Sequence, residues 1–537
     1  VTVSGTTSFH DRIRVPVLVL GSGISGLATV FSLARRGLPV LVVTKADDPA
    51  DCNTAWAQGG IIYFGKSDSA ESLVRDILRA GAGLCNPEAV RHLAADGPRI
   101  VRKILLEEVG VPFSRTRGGD LDFTREGAHS VARIVHAADA TGLAIETALL
   151  EKVRREKGVT LWTGARAIDL ITARHHSTEV SRRYALEDPC LGAYVLDAKG
   201  KVHTVLADFT VLATGGVGRL FVHTTNTVHA IGDGLAMADR AGAATMNLEY
   251  VQFHPTTLYH PDAERFLISE SLRGEGAVLV NRAGEAFMRR YDRRGGLAPR
   301  DVVTRAIVEE MTTRGDVCVY LDLAHHYRGR GKLAIRERFP TIAATCARYG
   351  IDIATEPIPV VPAAHYFCGG VLSDLEGRTT IRQLYAVGET SCTGVHGANR
   401  LASTSLLEGL VWGTHAARSI AERLRKGETL PRSLFSAIPD WKSPGDALNE
   451  DPALLAQDWA TIRSTMWNYV GIVRTKARLA RAVADLRDLE KRILRFYQVT
   501  KVSKAIVDLF HGVRAASLIA QSAFKNPVSR GCHYRKS

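Results

Sequence analysis

Acidic residues, aromatic rings and long apolar runs are all scarce in this sequence, and its few cysteines are scattered. Eight cysteines in 537 residues form no C-x-x-C pair and no zinc spacing. That excludes a disulfide framework and a structural zinc module, and it suits reduced thiols in a cytoplasmic protein with no metal. Nothing approaches the roughly 18 continuous apolar residues of a membrane span. The first residues include His10, Asp11, Arg12 and Arg14 and lack the apolar core of a signal peptide. Carboxylates are outnumbered: 69 Lys+Arg against 56 Asp+Glu leave a formal charge of +13, much of it after residue 470. Nucleic-acid binding needs a recognised module or basic strands interleaved with aromatics, and neither occurs. The excess reads as a solvated basic face that also attracts anionic substrates.

What is present is glycine, 48 residues of it, in a chain long enough for two to four domains. Residues 15–26 read VPVLVLGSGISG. A short apolar strand runs into Gly21, Gly23 and Gly26 at G-x-G-x-x-G spacing, and residues 27–35 continue as a helix. Strand, glycine turn and helix in that order form the dinucleotide fingerprint. The first glycine makes the turn, the second lets backbone approach a pyrophosphate, and the third lets helix pack on strand. The pyrophosphate sits on the free N–H groups of the helix start. A second strand is expected over 40–44. An NAD site would carry an acid near its end, but Thr44 and Lys45 stand there, which points away from NAD and toward a flavin.

Flavin features follow. Residues 52–60 (CNTAWAQGG) are a loop of small and polar residues able to wrap a cofactor. Residues 209–216 (FTVLATGG) and 384–389 (LYAVGE) are further strands running into glycine, the second ending on Glu389. A carboxylate there can accept hydrogen bonds from a polyol such as ribitol. Three such junctions, far apart in the chain, imply one discontinuous flavin domain with an insertion. The polar chemistry clusters in QFHPT (252–256), SESLRGEG (269–276), APRD (298–301), PAAHYFCGG (362–370) and GVHGANRLASTS (394–405). Their glycines and prolines argue for loops, where sites concentrate. Two arginines and two histidines on loops suit a small dicarboxylate, with Arg as its bidentate partner. Past residue 430 the glycine signals fade. Leu479, Val483, Leu486 and Ile493 share a helical face, and Ile506, Leu509 and Val513 continue it, as in a bundle of antiparallel helices.

In combination these motifs, with APRDVV, LLEGL and the late SRGCHY, resemble the succinate dehydrogenase/fumarate reductase flavoprotein family along nearly the whole chain. The resemblance implies an α/β fold. A Rossmann-like FAD-binding domain (1–244 and 357–425) is interrupted by an inserted α+β capping domain (245–356) and followed by a C-terminal helical bundle (426–537). It assigns to FAD the turn residues Gly21, Ser22, Gly23, Ile24, Ser25 and Gly26; Lys45; Asn53, Thr54, Ala55, Trp56, Ala57, Gln58, Gly59 and Gly60; Ala213, Thr214, Gly215 and Gly216; Asp233, Glu389, Ser405 and Leu406. Succinate dehydrogenases usually carry a histidine, covalently bonded to FAD, where this chain has Asn53, so noncovalent FAD is expected.

The family's aspartate-oxidising branch is the nearest resemblance, through FTREGAHS (123–130), followed by Arg133 and His136. Relatives acting on plain dicarboxylates tend to have glutamine where Glu126 stands, and a carboxylate suits an amino group. The resemblance implies that Arg400 and His365 grip one substrate carboxylate, that His254 and Ser269 hold the other, and that Ser403 lies beside them. Arg300 delivers a proton in the fumarate-reducing direction, with Glu270 and Arg273 as a relay and His254 in the same catalytic group. The implied reaction is oxidation of L-aspartate to iminoaspartate, with O2 or fumarate as acceptor. It opens NAD biosynthesis, ahead of quinolinate synthase. A succinate dehydrogenase or fumarate reductase subunit needs an iron–sulfur partner, and Asn53 and Glu126 argue against it. The set of polar residues argues against a nonenzymatic flavin-binding protein.

Overall fold

Val17, Leu18, Val19 and Leu20 are apolar at every position, so neither face of their strand can meet water. Such a run is stable at the centre of a parallel sheet covered on both sides, and it lies there. The computed structural model describes residues 2–3, 10–65, 68–263, 266–327, 331–449 and 451–536. Its largest sheet runs in the order Thr2–Val3, Val159–Trp162, Val40–Val43, Arg12–Leu20, Val202–Leu212, Cys190–Leu196, Arg166–Thr172. Pairing is parallel as far as Val202–Leu212 and antiparallel beyond. Leu384–Ala386 returns from much later in the chain to pair in parallel with residues 210–212. The helix Ile24–Ala34 is buried along its whole length. It lies against the long helix Thr404–Arg425 with little between them: a Cβ at Gly413 would stand 2.5 Å from the carbonyl oxygen of Ser25.

A second sheet, antiparallel, has the order Val251–Leu258, Ile358–Phe367, Val319–Asp322, Val278–Val280. Leu279, Phe287, Ile307 and Leu321 fill the core behind it. This sheet corrects one expectation from the sequence. QFHPT and PAAHY are not loops; both lie inside paired strands. Their prolines are tolerated because the register shifts between His254 and Thr257, opposite Ala363 and Val361. An irregular step of this kind frees residues from the ladder, so Pro255 and Pro362 cost it no hydrogen bond.

The helices Pro452–Val470, Lys476–Val499 and Lys504–Lys525 pack together around Ile462, Met466, Leu479, Leu486, Ile493, Leu509 and Val513. Val483 is only partly buried against them. Asp451, Thr475 and Ser503 each cap one helix by accepting a backbone N–H of its first turn. The tail then folds back. The Cys532 N–H donates to the carbonyl oxygen of Ala398 at 2.9 Å, and the Cys532 thiol lies 3.2 Å from Oδ1 of Asn399. Gly531 has a φ of 50°, and a Cβ there would meet the Ala398 oxygen at 2.4 Å. All eight cysteines are free thiols. Among the described residues no helix is long and apolar enough to cross a membrane.

Candidate active site

The first and third glycines of the turn do what their spacing predicts. Gly21 has a φ of 114°, and a Cβ there would lie 2.1 Å from the Ala213 oxygen, so only glycine fits. At Gly26 a Cβ would stand 2.2 Å from the Gly21 oxygen, which is where helix meets turn. The helix Ile24–Ala34 has no side-chain cap. Of its first N–H groups, that of Ile24 donates to Thr54 Oγ1 at 3.0 Å. The N–H groups left free at a helix start favour an anion. Ser22 lies 2.9 Å from Thr44 at the end of the second strand, and Lys45 pairs with Asp233 at 2.8 Å.

The loop around 52–60 closes the other wall. Oδ1 of Asn53 accepts the Thr227 N–H at 3.0 Å. Oε1 of Gln58 and Oδ1 of Asp233 are buried with no hydrogen-bond partner in the protein. Glu389 accepts the Phe367 N–H at 2.9 Å through Oε1. Burial raises the Glu389 carboxyl to about 7, against the opposing pull of that N–H and of Arg400. An uncapped helix, glycines that a Cβ would block and orphaned polar atoms along one wall fit FAD, with Glu389 placed for a polyol.

Substrate-side residues meet at one end of the same cleft. Its empty space is ≈ 1650 Å³ with the open mouth included. His254 and His365 face each other from the two paired strands, ring centres 5.2 Å apart. Nδ1 of His365 lies 2.7 Å from Thr225 Oγ1, and Nδ1 of His254 lies 3.0 Å from the Thr256 oxygen. Burial, then neighbouring arginines, pulls both imidazoles well below their ordinary value, so both are neutral near pH 7.

Arg400 rides 4.7 Å above the Tyr366 ring and donates to Ser405 at 3.3 Å, while its buried Nε has no partner. Burial first, and Arg300 second, lowers its guanidinium to about 10. The Tyr366 hydroxyl in turn donates to Glu408 at 2.9 Å, and His396 reaches the same carboxylate at 2.8 Å.

Arg300 begins the helix Arg300–Arg314, donating from Nε to Oε2 of Glu270 at 2.7 Å and toward Gln252 at 3.3 Å. Arg273 sits 3.5 Å from the same Glu270 oxygen and donates to the Gly296 oxygen at 2.6 Å. Burial alone would raise Glu270, but Arg300 and Arg273 outweigh it and hold the acid at about 2. Ser269 caps the short helix that carries Glu270. Across the cleft, Glu126 accepts the Ser403 hydroxyl at 2.7 Å. Burial raises its carboxyl above the ordinary value, Ser403 opposes, and nearby Glu270 adds to the rise. Two glycines make this approach possible. A Cβ at Gly59 would lie 2.3 Å from Glu126 Oε1, and one at Gly127 would lie 1.9 Å from Glu270 Oε1.

Of the site residues expected from the sequence, four do not line the cleft: Gly26, Ala55, Gly216 and Arg273. Gly26 packs helix on turn, Gly216 leaves space for Glu389, and Arg273 stands behind Glu270. The others do line it, Trp56 at its mouth with 47 % of its surface exposed. Thr225 and Tyr366 line it too and were not anticipated; Gln252 holds the Arg400 carbonyl from behind at 2.9 Å. Gln252 and Tyr366 lie inside motifs already singled out, whereas Thr225 carries no sequence signal.

An FAD binding domain family model matches residues 16–406, and a fumarate reductase flavoprotein C-terminal model matches 459–537. L-aspartate oxidase 1 of Ralstonia nicotianae is 47% identical over 526 residues, covering 97% of this chain and 95% of that protein. The L-aspartate oxidase of Pseudomonas aeruginosa is 45% identical, with coverage of 96% and 94%. Among solved structures, an E. coli quinol fumarate reductase, a point mutant of its FrdA chain, superposes with a TM-score of 0.86 at 27% identity, covering 98% of this chain and 92% of that one. Likeness at this level, over nearly the full length and on the motifs that build the cleft, makes the chain a member of the L-aspartate oxidase family, within the succinate dehydrogenase/fumarate reductase flavoproteins.

Proposed function

We propose that the protein oxidises L-aspartate to iminoaspartate, passing two electrons to O2, which leaves as H2O2, or to fumarate, which leaves as succinate. One observation carries the reading: a single pocket holds arginines and neutral histidines for two carboxylates together with a buried acid, Glu126, for an amine. FAD, when bound, supplies the hydride acceptor. Arg400 and His365 grip one carboxylate, and His254 and Ser269 hold the other. Fixing both ends orients Cα–H, and orientation of this kind lowers a barrier by up to roughly 7–11 kcal/mol. Glu126 takes the ammonium at the binding step. Its raised carboxyl is also a better proton acceptor than an ordinary glutamate, so it suits release of the amine as the neutral form whose lone pair assists hydride loss.

Arg300 belongs to the fumarate direction. A guanidinium stays protonated in proteins and is a poor base, and Arg300 is paired with Glu270 at 2.7 Å. As an acid it can protonate a substrate carbon, with Glu270 and Arg273 behind it to restore the proton. Asn53 offers no nucleophile for a bond to FAD, so the cofactor is held noncovalently. We take 1–244 and 357–425 as the FAD-binding part, 245–356 as the cap, with the strand Ile358–Phe367 shared between them, and 426–537 as the helical part. Eight free thiols suit a reducing cytoplasm. The unstable imine needs a consumer, and quinolinate synthase is the partner expected in NAD biosynthesis.

Hydrogen peroxide release with L-aspartate, set against succinate, tests the reading. Peroxide from L-aspartate alone supports it; turnover of succinate without L-aspartate overturns it. Failure to form quinolinate with quinolinate synthase and dihydroxyacetone phosphate present would count against the pathway partner.

A further inference from the structure

Glu126 is carried on a bent segment. Ala128, two residues on, has a φ of 66°, a left-handed conformation that a non-glycine residue adopts only when its surroundings impose it. Ala128 and Ser130 are themselves exposed, but the polar side chains that hold this segment from behind are buried. Oδ2 of Asp76 accepts the backbone N–H of Ser130 at 2.8 Å and its hydroxyl at 2.7 Å. The same oxygen accepts from Arg133 at 2.8 Å. Arg133 also grips both oxygens of Asp68, at 2.9 and 3.0 Å, and donates to Ser72 at 2.8 Å. The side chains of Arg133, Asp68 and Asp76 are 0%, 1% and 2% exposed, and none of the three lines the cleft. One residue before Ser130, Nε2 of His129 lies 3.0 Å from the Ala402 oxygen, next to the Ser403 that bonds Glu126.

A buried ion pair is a weak source of stability, because desolvation offsets its attraction. What a bidentate guanidinium supplies is direction. Asp68 precedes the helix Ala70–Ala80 and Asp76 lies on it, so the guanidinium joins this helix to the segment after Glu126. Gly59 lies close against Glu126: a Cβ there would stand 2.3 Å from its Oε1.

We propose that Arg133 is a positioning residue for substrate discrimination. Through Asp76 and Ser130 it fixes the segment presenting Glu126, so preference for an amino dicarboxylate depends on a guanidinium that never meets the substrate. This rests on the function proposed above and adds a residue to it.

The test compares kcat/KM for L-aspartate with the inhibition constant of succinate, in holoenzyme carrying Arg133→Lys or Ser130→Ala. A small misplacement of Glu126 should lower kcat/KM for L-aspartate by about 10- to 100-fold while the succinate constant stays within about twofold. In a Glu126→Gln background neither change should move that ratio further. Ser130→Ala keeps the backbone bond to Asp76, so it carries the same test if Arg133→Lys does not fold. Equal shifts for both ligands, no shift, or a shift that persists without the Glu126 carboxylate overturns the proposal. Wild-type enzyme inactive on L-aspartate overturns the parent reading as well; active wild type with unmoved variants overturns this one alone.

Discussion

Ser403 donates its hydroxyl to Glu126 at 2.7 Å across 277 residues of sequence, and it does so from a left-handed backbone with a φ of 56°. That serine opens the long helix Thr404–Arg425, so Glu126 is tied to the helix that packs on Ile24–Ala34. Glu126→Gln keeps the size and an oxygen for Ser403 but removes the charge. A hydrogen bond to a charged group is typically worth ~1.5–3 kcal/mol, or roughly 10- to 150-fold. The variant should lose about that factor in kcat/KM for L-aspartate. Succinate, which has no amine, should inhibit as well or better. Equal effects on both ligands would reduce Glu126 to a structural acid.

Arg300→Leu should abolish fumarate reduction and leave measurable L-aspartate oxidation. Loss of a positioned proton donor costs typically 10²- to 10⁴-fold. The single change strands Glu270 beside Arg273 alone, so the pair Arg300→Leu with Glu270→Gln is the cleaner comparison. Anaerobic succinate formation and aerobic peroxide release, measured on the same preparation, separate the two directions. If both activities fall together, the arginine serves both.

FAD affinity should depend on pH through Glu389. In the FAD-free protein this carboxyl titrates at about 7 against an ordinary 4.5, with burial the largest cause. The sign follows from linkage. The buried acid is tolerated while protonated, so its contribution to FAD-free stability is fully present below 4.5 and is lost as pH rises through about 7. A polyol hydroxyl donated to the ionised form reverses the preference. FAD should therefore bind more tightly as pH rises from about 5 to 7, by at most about tenfold per unit, and level off above. Glu389→Gln should flatten both curves. Fluorescence titration of FAD into FAD-free protein, with melting curves across the same pH range, reads both.

Acid precipitation should leave the flavin in the supernatant. Asn53 is engaged with the Thr227 N–H, and its amide nitrogen is no nucleophile. Yellow colour retained in the pellet would mean a covalent bond elsewhere in the cleft.

The dinucleotide turn was legible because its information is local: an apolar run, three glycines at fixed spacing and a helix, all within one strand–turn–helix unit. The bundle faces were legible for the same reason, through helical period, although Val483 proves half-exposed. The substrate strands were not. The rings of His254 and His365 meet across more than a hundred residues, and the prolines of their strands sit at one irregular step that only the paired register reveals. Thr225 was invisible because its role is fixed by reaching His365, 140 residues away. Glu126 could be singled out by family likeness, but the buried guanidinium behind it acquires meaning only once Asp68 and Asp76 are seen converging on it.

The fold-back of the tail onto Ala398 and Asn399 sets an order of manufacture. The thiol of Cys532 follows its contact, Asn399, by 133 residues. At about 5–20 residues per second on the ribosome, the loop bearing Arg400 waits on the order of 7 to 27 s for that backing after its own synthesis. The dinucleotide turn and the segment bearing Glu126 have by then long emerged. A nascent chain can therefore set Arg400 against Gln252, Tyr366 and Ser405 before the tail arrives, and a ribosome stalled late in the message would carry a chain whose Ala398–Asn399 loop still lacks its last contact.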